Sequence, residues 1–198
     1  SNPTTVKVSS PGTALTILDS PTLSNTISPS NAYRSSTITL TGTNFIDGGS
    51  QTCSALIGST PASGAAALSC TIVSSTQVNV VVGSSTNFSA AGVRVVMSNP
   101  GLVFANTSSS ALNVSASPTV SGVAPSSAYS LSTITLTGAN FLTTGQGQSC
   151  SVTVGSTAAS SCTVVSSSQM QVVVGSGTTA GAAGVSVVFN GGGSGATA

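Results

Sequence analysis

The sequence predicts an all-β protein containing two tandem β-sandwiches, and three observations carry that expectation. Apolar and polar residues alternate with period two, as in Thr37-Ile38-Thr39-Leu40-Thr41, which puts Ile38 and Leu40 on one strand face. Clusters of turn formers (SPSN, TGTN, DGG, GST, NPG) punctuate the chain roughly every 8–12 residues, the rhythm of short antiparallel strands. The decamer STITLTGTNF, Ser36 to Phe45, returns 96 residues later as STITLTGANF, Ser132 to Phe141, with one letter changed.

Taken in order, the segments repeat as a series. SPSNAYRSSTITLTGTNF (28–45) matches APSSAYSLSTITLTGANF (124–141). CSALIGST from Cys53 matches CSVTVGST from Cys150, and CTIVSSTQVNVVVGS from Cys70 matches CTVVSSSQMQVVVGS from Cys162. AAGVRVVMSN from Ala90 matches AAGVSVVFNG from Ala182. Within these segments Val78, Val80 and Val82 share a face, as do Val93, Val95 and Met97 with Arg94 turned away, and Val152 with Val154. Insertions fall between the strand segments, where loops tolerate them. No segment has helical periodicity.

A third, partial copy opens the chain. SNPTTVKVSSPGTALTILDSP (1–21) aligns with SNPGLVFANTSSSALNVSASP (98–118), pairing Leu15 with Leu112 and Ile17 with Val114. The expected organisation is therefore a tail segment at 1–21 completing a preceding or neighbouring unit, a first domain at 22–118, and a second at 119–198 lacking its own final strand. A start at Ser1, without Met or a leader-like region, reads as a processed protein or a piece of a longer one.

Composition excludes several function classes. Only Lys7, Asp19, Arg34, Asp47 and Arg94 are charged, and Glu, His and Trp are absent, while Ser and Thr make up 69 of 198 residues. Acid–base catalysis and metal or cofactor ligation need residue types this chain barely holds, so no enzyme, metal or cofactor is expected. Three scattered basic residues cannot neutralise a phosphate backbone, so nucleic acid is not an expected partner. No apolar run reaches ~18 residues, so no membrane span is expected. A surface so poor in charge favours self-association or a coat of sugars.

Each unit resembles the IPT/TIG domain, an immunoglobulin-like β-sandwich, on the ordered series Pro-x-x-x-x-Tyr, TITLTGTNF, a strand ending in GST, VVSSSQMQVVV and AGVSVV. Gly83 and Gly175 stand where the family often places a proline. The resemblance implies tandem immunoglobulin-like modules of a surface protein; the DNA-contacting role of some members needs basic loops that this sequence lacks.

Four cysteines allow three pairings, and the repeat selects Cys53–Cys70 and Cys150–Cys162, each within a unit; four buried thiols are the alternative. Disulfides place the protein in an oxidising, extracellular or cell-surface compartment. Phe45 and Phe141, after Gly-x-Asn, read as core plugs at strand ends, and Tyr33 and Tyr129 as packing residues in turns. Asn87, Asn106 and Asn113 head N-x-Ser/Thr triplets that are glycan acceptors in a secreted eukaryotic chain and chance matches otherwise.

The expected function is a structural subunit of an extracellular filament or surface appendage. Tandem domains would assemble head to tail, with Leu15 and Ile17 as apolar residues of a donated strand and copies of the chain, or adjacent repeats, as partners. A window of a longer covalent array fits the same phase shift. The alternative function is an adhesin stalk or a carbohydrate-binding accessory module of a larger surface protein, which lacks an aromatic platform here.

Overall fold

The computed structural model describes residues 19–45, 51–98, 102–142, 149–190 and 196–197. Leu15, Ile17, Lys7 and Asp47 lie outside them. The first unit contains β1 (Thr22–Ser28), β2 (Asn31–Tyr33), β3 (Thr37–Thr43), β4 (Thr52–Gly58), β5 (Ala65–Ala66), β6 (Ser69–Ser74), β7 (Gln77–Val81), β8 (Ala90–Ser98), β9 (Val103–Asn106) and β10 (Leu112–Ser115). The second contains β11 (Thr119–Ala124), β12 (Thr133–Ala139), β13 (Ser149–Val154), β14 (Thr157–Ala158), β15 (Ser161–Ser166), β16 (Gln169–Val173), β17 (Val185–Asn190) and β18 (Ala196–Thr197). One short 3-10 turn, Pro61–Ser63, sits between β4 and β5.

Each unit is a two-sheet sandwich. The first pairs β1-β3-β7-β6 in one sheet and β2-β10-β8-β4-β5 in the other, with β9 continuing along β8. The second repeats this as β11-β12-β16-β15 and β14-β13-β17-β18. The decamers occupy equivalent strands in equivalent register: Ile38 lies opposite Val80 in one unit, Ile134 opposite Val172 in the other. Alternation buries the inward face, so Ile38, Leu40, Val78, Val80, Val82, Val93, Val95 and Met97 are all sealed from solvent.

The last letters of the decamer now have a physical reason. A Cβ on Gly42 would stand 2.0 Å from the Thr22 carbonyl oxygen and 2.6 Å from the Phe45 ring, and one on Gly138 would stand 1.9 Å from the Thr119 oxygen and 2.5 Å from the Phe141 ring. Glycine thus lets β1 and β11 approach while the phenylalanine folds back over the strand end. Asn44 and Asn140 make that turn at φ 60° and 61°, a left-handed conformation asparagine tolerates better than most side chains. Phe45 and Phe141 are buried in the two cores, at the strand ends.

Disulfides join Cys53 to Cys70 and Cys150 to Cys162. Their strands are not hydrogen-bonded neighbours: β4 and β6 belong to opposite sheets, as do β13 and β15. Each bond therefore staples one sheet of a sandwich to the other.

The tail of the second unit begins earlier than its sequence suggests. β18 pairs Ala196 with Phe189 and Thr197 with Val188, the places that Val103 and Phe104 take opposite Met97 and Val96. Among the described residues, nothing takes the place of β10.

Candidate assembly interface

The candidate site lies where the two units differ. In the first, β10 runs parallel to β2, with Val114 opposite Ala32, and antiparallel to the start of β8, with Leu112 opposite Ala91. Leu112, Val114, Ala32 and Ala91 are all buried there. In the second unit the matching segments are Ser127–Tyr129 and Ala182–Ala183; neither forms a strand, and Ala128 and Ala183 are exposed. β17 starts only at Val185, whereas β8 starts at Ala90, and among the described residues no strand pairs with the segment before β17 as β10 pairs with the start of β8. A groove of about 660 Å³ runs between these segments, and Ile134, Val154 and Val174 line it. It occupies the position that Leu112 and Val114 fill in the first unit.

A second feature joins the units. Tyr33, at the end of β2, is wholly buried, yet in the core of the second unit. Its ring lies 5.8 Å from that of Phe189, which in turn stacks on Phe141 at 5.8 Å. Its hydroxyl donates to the Asn140 carbonyl at 2.5 Å and accepts from the Leu142 amide at 3.1 Å. Burial pushes the phenol up to about 12, with the Leu142 amide partly opposing the shift. The receiving turn is held by the linker, since the Asn140 side-chain amide donates to the Ser117 carbonyl at 3.1 Å.

The expectation that both tyrosines are packing residues in turns holds for the packing of Tyr33 and fails for Tyr129. Tyr33 packs in the neighbouring unit, and Tyr129, its repeat equivalent, is 87% exposed. The physical reason is that a tyrosine at this position points out of the end of its sandwich and needs a following unit to cover it. The recurrence of Ala-Tyr at an interval of 96, with no inward partner of period two, was the signal available in the sequence.

The remaining candidate residues stand apart from this interface. Asn87 is exposed in the loop before β8, Asn106 is exposed at the end of β9, and Asn113 is exposed between buried Leu112 and Val114. Thr107, within the Asn106 triplet, is buried, its hydroxyl accepting from the Val93 amide and donating to the Ser108 carbonyl. Two half-exposed phenylalanines are roofed by guanidinium groups: Arg34 lies 3.9 Å above Phe88, and Arg94 lies 4.1 Å above Phe104. Arg34 also donates twice to the Thr86 carbonyl. Among the described residues, no group of His, Cys, Asp or Glu could hold a metal ion, and no helix is long and apolar enough to cross a membrane.

Two disulfide-stapled sandwiches in series, docked end to end, define a tandem module of immunoglobulin-like domains. The IPT/TIG family model matches residues 21–116 and 118–198, and the chain belongs to that family. No curated protein matches the sequence. Solved structures similar to the chain at a low level include SGBP-B of the Bacteroides ovatus mixed-linkage glucan utilization locus, in complex with a mixed-linkage heptasaccharide (14% identity, 90% of this chain and 41% of that one, TM-score 0.35). Murine CEACAM1b (12%, 89% and 95%, 0.28) and titin domains I67–I69 in a variant form (12%, 90% and 61%, 0.32) are similar to a comparable degree. The chain thus spans less than half of the Bacteroides protein.

Proposed function

We propose that this chain is a structural subunit of an extracellular filament or surface appendage, in which tandem immunoglobulin-like units join head to tail by strand donation. The observation that carries this reading is the groove of the second unit, which stands where the first unit seats β10. A slot that no described strand fills, flanked by segments without a described strand partner, is a template for strand addition. The segment around Leu15 and Ile17 has the apolar spacing of Leu112 and Val114. Supplied by a second copy, it fills the slot through a heterologous contact, and such contacts propagate into open fibres. If the polypeptide continues beyond residue 198 with another tail, the same slot fills in cis and the array is covalent. The two disulfides support an oxidising, extracellular setting.

The stalk version of the alternative shares this architecture. A sugar-binding role finds less support, because the half-exposed rings of Phe88 and Phe104 already carry guanidinium groups on a face, and Tyr129, the remaining exposed ring, is a single side chain rather than an aromatic platform.

Electron microscopy and sedimentation of the purified chain test the proposal. Fibres are expected from the unaltered sequence, and folded single chains from a Leu15→Asp, Ile17→Asp double variant. A peptide spanning residues 11–20 should halt fibre growth. An unaltered chain that stays monomeric at every concentration would overturn the assembly role.

A further inference from the structure

We infer that Tyr129 is a docking residue that inserts into the Asn44–Phe45–Met97 end of a second copy of this chain. This rests on the head-to-tail reading and specifies its second contact. Three observations carry it. First, Tyr33 and Tyr129 hold the same place in their units, yet Tyr33 is 0% exposed and Tyr129 87%. The difference is the presence of a following unit, whose Asn140, Leu142 and Phe189 receive Tyr33.

Second, the first unit carries the same receiving turn as the second. Asn44 adopts φ 60° and Asn140 φ 61°, and each side-chain amide reaches back to its own linker, Asn44 to the Ser20 carbonyl at 3.3 Å and Asn140 to the Ser117 carbonyl at 3.1 Å. Phe45 matches Phe141 beneath the turn. Met97 matches Phe189; in the single chain Met97 is 0% and Phe45 2% exposed, so the incoming ring must displace what covers them, and the flexible thioether of Met97 can repack around it. The Asn44 carbonyl is the counterpart of the oxygen that accepts the Tyr33 hydroxyl.

Third, the geometry of strand donation delivers this turn to Tyr129. Thr119, where the second unit starts, lies five positions after Val114 in the filled slot, and Thr22 lies five positions after Ile17, with Ser-Pro-Thr ending both steps. A copy that donates Leu15 and Ile17 to the groove therefore carries its first unit to the position that the second unit holds relative to the first. Filling the groove also pairs Ser127–Tyr129 as β2 is paired, which fixes the backbone that bears Tyr129. Strand and tyrosine then form one joint, a repetition between copies of the joint already present within the chain.

The test replaces Tyr129 with the photoreactive aromatic p-benzoylphenylalanine and maps cross-links by mass spectrometry, alongside assembly of Tyr129→Ala and Tyr129→Phe. Because Tyr129 is exposed, these variants keep the fold. Cross-links to Asn44, Phe45 or Met97 of another copy are expected. So is a rise in the critical concentration of roughly 100-fold for Tyr129→Ala, as for a central aromatic anchor, and of roughly 5- to 10-fold for Tyr129→Phe, which loses only the hydroxyl's hydrogen bonds. Assembly that requires Leu15 and Ile17 but is indifferent to both Tyr129 variants, or cross-links confined to other sites, overturns the docking and leaves strand donation standing. Failure of the unaltered chain to assemble overturns both.

Discussion

Raising the pH should loosen the joint between the two units through Tyr33. The phenol is wholly buried and pushed up to about 12, against about 10 for an unfolded tyrosine. The folded state thus holds its proton more tightly than the unfolded state. Its contribution is complete below pH 10 and is lost as pH rises from 10 to 12. Two pH units correspond to at most about 3 kcal/mol. The phenolate also cannot donate to the Asn140 carbonyl, so the hydrogen bond between units fails with it. The assay is urea unfolding of a Tyr129→Phe protein, whose sole tyrosine is Tyr33, at pH 8, 10 and 12, with phenolate absorbance recorded in parallel. Tyr33→Phe serves as the reference. The tyrosine should ionise near pH 12, and the pH-dependent loss should vanish in the reference. Ionisation near 10, or an equal loss in both proteins, would refute the burial of Tyr33 between the units.

Other outcomes follow from the same structure. Replacing Cys53 and Cys70 together by alanine should lower the stability of the first unit by about 3 kcal/mol, as expected for a 17-residue loop, and non-reducing peptide mapping should recover both within-unit pairs. Gly138→Ala, measured by thermal unfolding, should destabilise the second unit by roughly 1–3 kcal/mol or more, because the new methyl meets the Thr119 oxygen and the Phe141 ring. Phe141→Ala should cost about 3–5 kcal/mol and abolish the contact with Phe189 that supports Tyr33. Expressed in a eukaryotic secretory host, the protein should gain glycan mass at exposed Asn87, and Asn87→Gln should remove that increment.

Much of the architecture was legible because its signals are local. Period two in Thr37–Thr41 names the inward face, and the repeat gives the register of both units. The cysteine pairs were legible for the same reason, although only the structure shows that each bond crosses from sheet to sheet. The tyrosines were not legible. Turn residues beside a Pro look alike whether they pack at home or next door, and the partner of Tyr33 lies 107 residues away at Asn140. Composition could not reveal the guanidinium roofs over Phe88 and Phe104 either, since each depends on a cross-strand or loop neighbour. The start of β18 was missed because a glycine-rich run hides a two-residue strand whose only signature is its pairing.

The parallel pairing of β10 with β2 has a mechanical consequence. These strands lie near the exit and the entry of the first unit, and they run in the same direction. Tension along the chain pulls β2 from its start and β10 from its end, so the two slide past one another. Their hydrogen bonds are then loaded together in shear, rather than opened one at a time as in a peeled hairpin. A joint closed by a donated strand in the same place would bear tension the same way, and each link of such a fibre would yield abruptly at a high force rather than creep.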